Sequence, residues 1–350
     1  MSVFIDFHVL QTVPPSCVNR DDMGSPKTAV YGGAVRARVS SQAWKHAMRE
    51  EFKTLFDEYD LGSRTKNMVE MVEREIIKID GSISADECHK KAVKALECAG
   101  IKLKDEKAEA LFFMSNKQAK AIAELAVTLD PKDKEAPKRM KEALKTNPSV
   151  DIALFGRMAA SDPTLNYDAA AQVAHAISTH TVQNEYDYFT AVDDLQADDN
   201  AGAGHLGTIE FNSSTLYRYA TVNLTELANT LGKESAAAAV KKFCRAFALS
   251  MPKGKENTFA NRTFPDMVYV TIRSDQPVNL CGAFEDPIKK SGNGYAAASK
   301  SRLMEYTQKV YTQFAAKPDE EWLNDMSSDL SFPELLSQLE EAVNDRLTGV

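Results

Sequence analysis

The stretch Ala34–Arg49, AVRARVSSQAWKHAMR, changes its period halfway along. Up to Val39 it alternates, with Val35, Ala37 and Val39 against Arg36 and Arg38. That is the period of a strand, and it sends both arginines out of one face. After Ser40 or Ser41, either of which can cap a helix, Ala43, Trp44, Ala47, Met48, Phe52, Leu55 and Phe56 recur at helical spacing. The other helix face carries Gln42, Lys45, Arg49 and Lys53, three and four residues apart and therefore in one row. The row starts at the helix N-terminus, where free amide donors and the dipole favour an anion. Two independent cationic patterns thus converge where strand meets helix, which suits the backbone of a nucleic acid. An ordinary solvated helix face carries similar charge, so the rest of the chain has to decide.

Upstream, VFIDFHVL reads as a strand with Val3, Ile5, Phe7 and Val9 on one face and Asp6 and His8 on the other. Downstream, from about Leu61 to Pro148, the texture turns to charged amphipathic helices such as KNMVEMVEREIIKI, DECHKKAVKALECA and KQAKAIAELAVTL, a helical insertion. Strand character returns in VDIALFGRM, and QVAHAISTH fits either strand or helix. YFTAVDDLQADDNAGAGHLGTIEFNSSTLYRYATVNL then reads as two extended arms around a polar, glycine-rich tip, a long hairpin. A helix over SAAAAVKKFCRAFALSM, the strand DMVYVTIR and two further helices near Ser299–Phe314 and Pro333–Arg346 complete the chain.

With the helical insertion and the hairpin set aside, the order is strand, helix, strand, strand, helix, strand. This predicts an α+β fold with a ferredoxin-like, RRM-like core. The aromatic signature with which such modules stack RNA on their sheet is absent, so RNA bound here is not expected on that face.

Composition bounds the class. The chain has 350 residues, 43% of them hydrophobic and 26% charged, which is globular, and no run is long enough to span a bilayer. The N-terminus lacks the features of a secretory signal, so a cytoplasmic protein with no membrane partner is expected. The net charge of −8 argues against indiscriminate polyanion binding. The charge is uneven: six basic residues against two acidic ones from Arg20 to Arg49, and two basic against nine acidic from Lys317 to Val350. Such polarity suits head-to-tail assembly. The five cysteines contain no C-x-x-C and are expected to be reduced and mostly buried.

Other motifs carry less. Gly202, Gly204 and Gly207 match G-x-G-x-x-G but stand before a strand rather than a helix, so a flexible tip is the better reading. His175 and His180 are five apart, not the four of a helical zinc pair. The doublets Asp21–Asp22 and Asp193–Asp194 have the look of solvated loop acids. No nucleophile motif occurs, and neither an enzyme, a metal nor a cofactor is expected.

In combination, PSCVNRDDMGSPKTAVYGG, RARVSSQAWKHAMR, VDIALFGRMA, AHAISTH, FTAVDDL and GHLGTIEF through LYRYATVNL resemble the CasC family, the backbone subunit of the type I-E CRISPR Cascade surveillance complex. The matches keep their order across most of residues 1–275. The resemblance implies a ferredoxin-like palm (1–59, 150–187 and 223–350 with the C-terminal helices), helical fingers (60–149) and a β-hairpin thumb (188–222). It implies copies stacked head to tail along CRISPR RNA, each thumb displacing one nucleotide while the other bases pair with target DNA. The large subunit, small subunits, a guide-end-capping subunit and a guide-processing endoribonuclease would be partners. Arg20, Lys27, Ser40, Gln42, Lys45 and Arg49 stand at positions matching the family's RNA-backbone contacts, beside Arg36 and Arg38 from the strand. Leu165, His205 and Leu206 are the thumb and wedge candidates. The chain departs from the family at the apolar Ala34 and Val35 and in a shortened ASDPTLNYDA loop. The rival expectation is a metal-dependent, target-RNA-cleaving subunit as in type III complexes, with Asp21 or Asp22 as its acid.

Overall fold

The computed structural model describes residues 2–128, 130, 133–159, 162–191 and 205–349. Along the chain it contains β1 (Phe4–Ser16), β2 (Thr28–Tyr31), β3 (Ala34–Val39), α1 (Ser41–Leu55), β4 (Gly62–Thr65), α2 (Met68–Ile79) and α3 (Ala85–Cys98). Next come β5 (Leu103–Lys104), β6 (Lys107–Ala108), β7 (Phe112–Ser115), α4 (Asn116–Val127), α5 (Ala136–Lys145) and α6 (Val150–Phe155). The remainder is β8 (Ala171–Val173), β9 (Ala176–Ser178), β10 (Glu185–Ala191), β11 (His205–Asn223), α7 (Leu224–Leu231), α8 (Lys233–Leu249), α9 (Glu256–Phe259), β12 (Met267–Arg273), α10 (Ala296–Gln313), β13 (Glu320–Asp325) and α11 (Phe332–Thr348).

The main sheet runs β13-β12-β1-β11-β9-β3-β2. Its centre, β12-β1-β11-β9, holds the four strands of a strand–helix–strand–strand–helix–strand unit in the spatial order fourth, first, third, second. The expected ferredoxin-like plan is therefore present. The β2–β3 hairpin widens one edge, and β13 pairs antiparallel with β12 at the other.

Both faces of β1 are buried. Its odd residues Ile5, Phe7 and Val9 face the helices, Phe7 meeting Phe243 at 5.3 Å and Phe247 at 6.4 Å on α8. Its even residues Asp6, His8 and Leu10 share the opposite side with Tyr217, Tyr219 and Tyr269. This is the side an RRM leaves open for RNA. Here the short turn Leu280–Phe284 and Leu303 and Tyr311 of α10 cover it, so its tyrosines form a core. His8 lies against Tyr219 and Tyr269 and shares a hydrogen bond with the Tyr217 hydroxyl at 2.8 Å. Burial lowers its pKa to about 3, so it is neutral, while burial raises that of Asp6 to about 6.

The chain divides into two compact units. The first, Met1–Met48 with Val173–Thr221 and Phe243–Leu339, holds the core just described. The second collects Arg49–Gln172, Val222–Lys242 and Glu340–Val350. Its interior is α2 to α5, where alanines such as Ala92, Ala95, Ala119, Ala123 and Ala126 allow close helix approach. Ser115 starts α4 with a capping box, accepting from Gln118 N while Gln118 Oε1 accepts from Ser115 N.

One reading of local structure needs correction, and one strand had no reading at all. VDIALF is helix α6 and not a strand: so short a run, apolar but for Asp151, has no periodicity to choose between the two, and Gly156 (φ +77) ends it. β13, EEWLND, gave no strand signal, because its acids and Asn are poor strand formers that an exposed edge tolerates.

Candidate nucleic-acid interface

The interface is assembled by the loop between β1 and β2. Arg20 pairs across it with Pro26, and Lys27 N donates to Asn19 O at 2.9 Å. Asp21 Oδ1 accepts the amides of Met23 and Ser25, both at 2.9 Å, and so shapes the tip. Arg38 N donates to Lys27 O (2.9 Å), laying the loop along β3. Asn19 Oδ1 accepts Ser40 N (2.9 Å), and Ser40 Oγ accepts Ala43 N (3.3 Å) as the cap of α1. One side chain, Asn19, therefore ties the loop to the helix start.

This scaffold presents Arg20 and Gln42 in the open and Lys27, Arg38 and Lys45 half-buried. Arg38 Nε donates to Thr28 O (3.1 Å), and its Nη1 bonds His175 Nδ1 (3.1 Å). Burial, and then the positive charges of Arg38 and Lys27, hold the His175 pKa below the usual range, so its nitrogen is available to accept. His175 is a member that sequence spacing alone did not find. Among the described residues no group of three or more His, Cys, Asp or Glu side chains is placed to hold a metal ion.

Several expected contacts lie elsewhere. Arg36 is fully buried: Nη1 donates to Ser178 O (3.0 Å) and Nη2 to Phe284 O (2.9 Å) and Glu285 O (3.2 Å). Strict alternation sent it outward with Arg38, but the turn Leu280–Phe284 supplies carbonyls that need a donor. Ser40 is buried and acts as a cap, so it positions the site rather than surfacing in it. Arg49 belongs to the second unit, where Nε pairs with Asp151 Oδ2 (3.1 Å), Nη2 donates to Gly62 O (3.1 Å) and the group lies over Phe113. Leu165 is 1% exposed in the second unit's core, which rules it out as a wedge.

In the hairpin, β10 pairs antiparallel with β11 from Glu185↔Phe211 to Ala191↔His205. Tyr186 and Tyr188 leave the same face, 68% and 65% exposed. Phe189 lies against Gly207, where a Cβ would come within 2.3 Å of the ring. The alternation YDYF was the available signal for these aromatics. His205 and Leu206 pair with Ala191 and Thr190, but their side chains, and the tip with Asp193, Asp194, Gly202 and Gly204, lie outside the described residues.

The fold and this junction define a class: an RRM-like α+β protein whose cations gather at a loop and helix start, off a covered sheet. The chain belongs to the CT1975-like protein family, which it matches over residues 5–347. It is similar to a chain of a solved structure described as "CRISPR RNA-guided surveillance complex, pre-nicking", with 32% identity over 97% of this chain and 100% of that one, at a TM-score of 0.84. A chain of a second, "CRISPR RNA-guided surveillance complex", is 29% identical over 97% of this chain and 99% of that one, at a TM-score of 0.72. No curated protein matches. No helix among the described residues is long and apolar enough to cross a membrane.

Proposed function

We propose that this chain is a non-catalytic backbone subunit of a type I-E Cascade, of the CasC kind, that polymerises head to tail along CRISPR RNA and presents it for pairing with target DNA. The observation that carries the reading is the likeness, over nearly the whole chain, to subunits of CRISPR RNA-guided surveillance complexes. The junction chemistry agrees. Arg20, Lys27 and Lys45 neutralise phosphates, and Gln42 at the first turn of α1 adds a sequence-blind hydrogen bond. A guide holder must leave sequence to base pairing, and this site holds phosphate-type donors rather than a base-reading aromatic sheet. The exposed Tyr186 and Tyr188 on the thumb arm suit stacking on a displaced base. The Asp21 carboxylate shapes its own turn, which favours the non-catalytic reading over metal-dependent RNA cleavage. The large, small, end-capping and processing subunits are the proposed partners, in the cytoplasm.

The test is to express the chain with a CRISPR transcript and the partner subunits, purify by a tag on this chain and sequence the RNA that follows. Spacer-containing RNA of uniform length is expected; mixed cellular RNA, or none, overturns the reading. Incubating the same complex with target RNA and magnesium should release no cleavage product. A product lost in Asp22→Ala would establish the enzyme instead.

A further inference from the structure

Between α8 and β12 runs Met251–Asp266, MPKGKENTFANRTFPD, a segment outside the guide site proposed above. It carries Lys253, Lys255 and Arg262 against Glu256 and Asp266, and the Asp266 Oδ2 already accepts Thr12 N at 2.6 Å. Lys253 and Arg262 are exposed and Lys255 is half-buried. The segment is fastened to β1, the strand that leads into the Asn19–Lys27 loop. Gly254 approaches that chain so closely that a Cβ would stand 2.1 Å from Val18 O. Farther along, Gln11 Nε2 donates to Thr263 O and Thr263 Oγ1 to Thr12 O, both at 2.8 Å.

Two features are out of keeping with a mere connector. Lys255 (φ +47) and Ala260 (φ +46) hold left-handed conformations that residues with a Cβ avoid, so the surroundings impose this path. Phe264, between the fastened Thr263 and Asp266, is nevertheless 75% exposed. The placement also matters: the close approach of Gly254 to Val18 O sets the segment beside the end of β1 that leads into the loop bearing Arg20.

We infer that Met251–Asp266 forms a second wall of the guide path, with Lys253 and Lys255 contacting the RNA phosphates beside Arg20 and Phe264 serving as a stacking platform for an unstacked guide base. Cations interleaved with an aromatic on a fixed backbone are the parts a single-stranded nucleic acid needs. This rests on the guide-holding reading.

The experiment uses the assembled ribonucleoprotein, with p-benzoylphenylalanine placed at position 264 and, as a control, at Gln42. After irradiation, a crosslink from position 264 to guide RNA at a regular spacing is expected. Crosslinks from 264 only to target DNA or to a neighbouring subunit, while Gln42 reaches the guide, overturn the inference and leave the reading standing; silence at both positions counts against the reading itself. In parallel, Lys253→Ala with Lys255→Ala should lower the slope of log affinity against log salt by about 1.4, at roughly 0.7 per lost single-strand phosphate contact. An unchanged slope, where Lys27→Ala with Lys45→Ala does lower it, also overturns it.

Discussion

Arg36 and Arg38 stand two residues apart on one strand and have opposite roles. Arg38 sits half-open among Lys27, His175 and the Thr28 carbonyl. Arg36 is sealed inside, its donors directed at three carbonyls. The same division runs through the molecule. Arg218 is buried against Trp44 and Phe247, bonding Gln11 Oε1 and the Phe247 and Ala248 carbonyls at the C-terminal end of α8. Arg157 ties the Leu165, Phe113 and Leu144 carbonyls together. These arginines complete backbone acceptors that helix and turn ends leave open, and a helix C-terminus favours a cation as well. Whether an arginine binds ligand or holds the fold is decided by the carbonyls within its reach, not by its sequence neighbours.

The sharpest way to break this comparison is to remove an interior arginine. Arg218→Ala should cost about 3–5 kcal/mol, because buried acceptors lose a charged donor, and should abolish guide binding only by unfolding the chain. Chemical denaturation decides it; a folded variant with normal stability and defective binding would place Arg218 in the site. Next, Leu165→Ala should destabilise by about 2–5 kcal/mol, as core truncations do, while the folded fraction binds guide normally. Selective loss of guide distortion at full stability would restore a wedge role.

Smaller effects separate the polar core under α10 from the open junction. His8 stays neutral down to about 3, whereas the unfolded chain takes up this proton near 6.5. Its contribution is complete above that value and is lost as pH falls through the window between them. Asp6, raised to about 6, acts oppositely: its folded form keeps a proton the unfolded chain has released, so stability grows as pH falls from about 6 toward the ordinary carboxylate range. The stability difference between wild type and His8→Gln, from denaturant titrations, should therefore shift against wild type by about 2 kcal/mol from pH 7 to pH 5. A constant difference would mean that His8 takes up its proton in the fold at the same pH as in the unfolded chain. Asn19→Ala should cost only about 1 kcal/mol yet loosen the loop that sets Arg20 and Lys27, lowering guide affinity without changing its salt slope.

Much of this was legible in the sequence because periodicity reports burial. The change of period at Ser40 located the β3–α1 junction, and the order of elements gave the ferredoxin-like centre. Where both faces of an element are covered, the same signal misleads. Val150–Phe155 is apolar but for the buried Asp151, and Arg36 occupies an outward register that the Leu280–Phe284 turn closes off. Arg49 fits the helical row, and only Asp151, a hundred residues away, shows its commitment elsewhere. His175 joins Arg38, and Met251–Asp266 fastens to β1, through tertiary contacts, so local sequence held no sign of either arrangement.

The most direct test of the account is guide affinity across a salt series for the triple variant Arg20→Ala, Lys27→Ala, Lys45→Ala, using several unrelated spacers. The account predicts an unchanged melting midpoint and a salt slope lower by about 2, the same for every spacer. An unchanged slope, or a loss confined to particular spacers, would contradict the claim that this junction holds RNA by its phosphates.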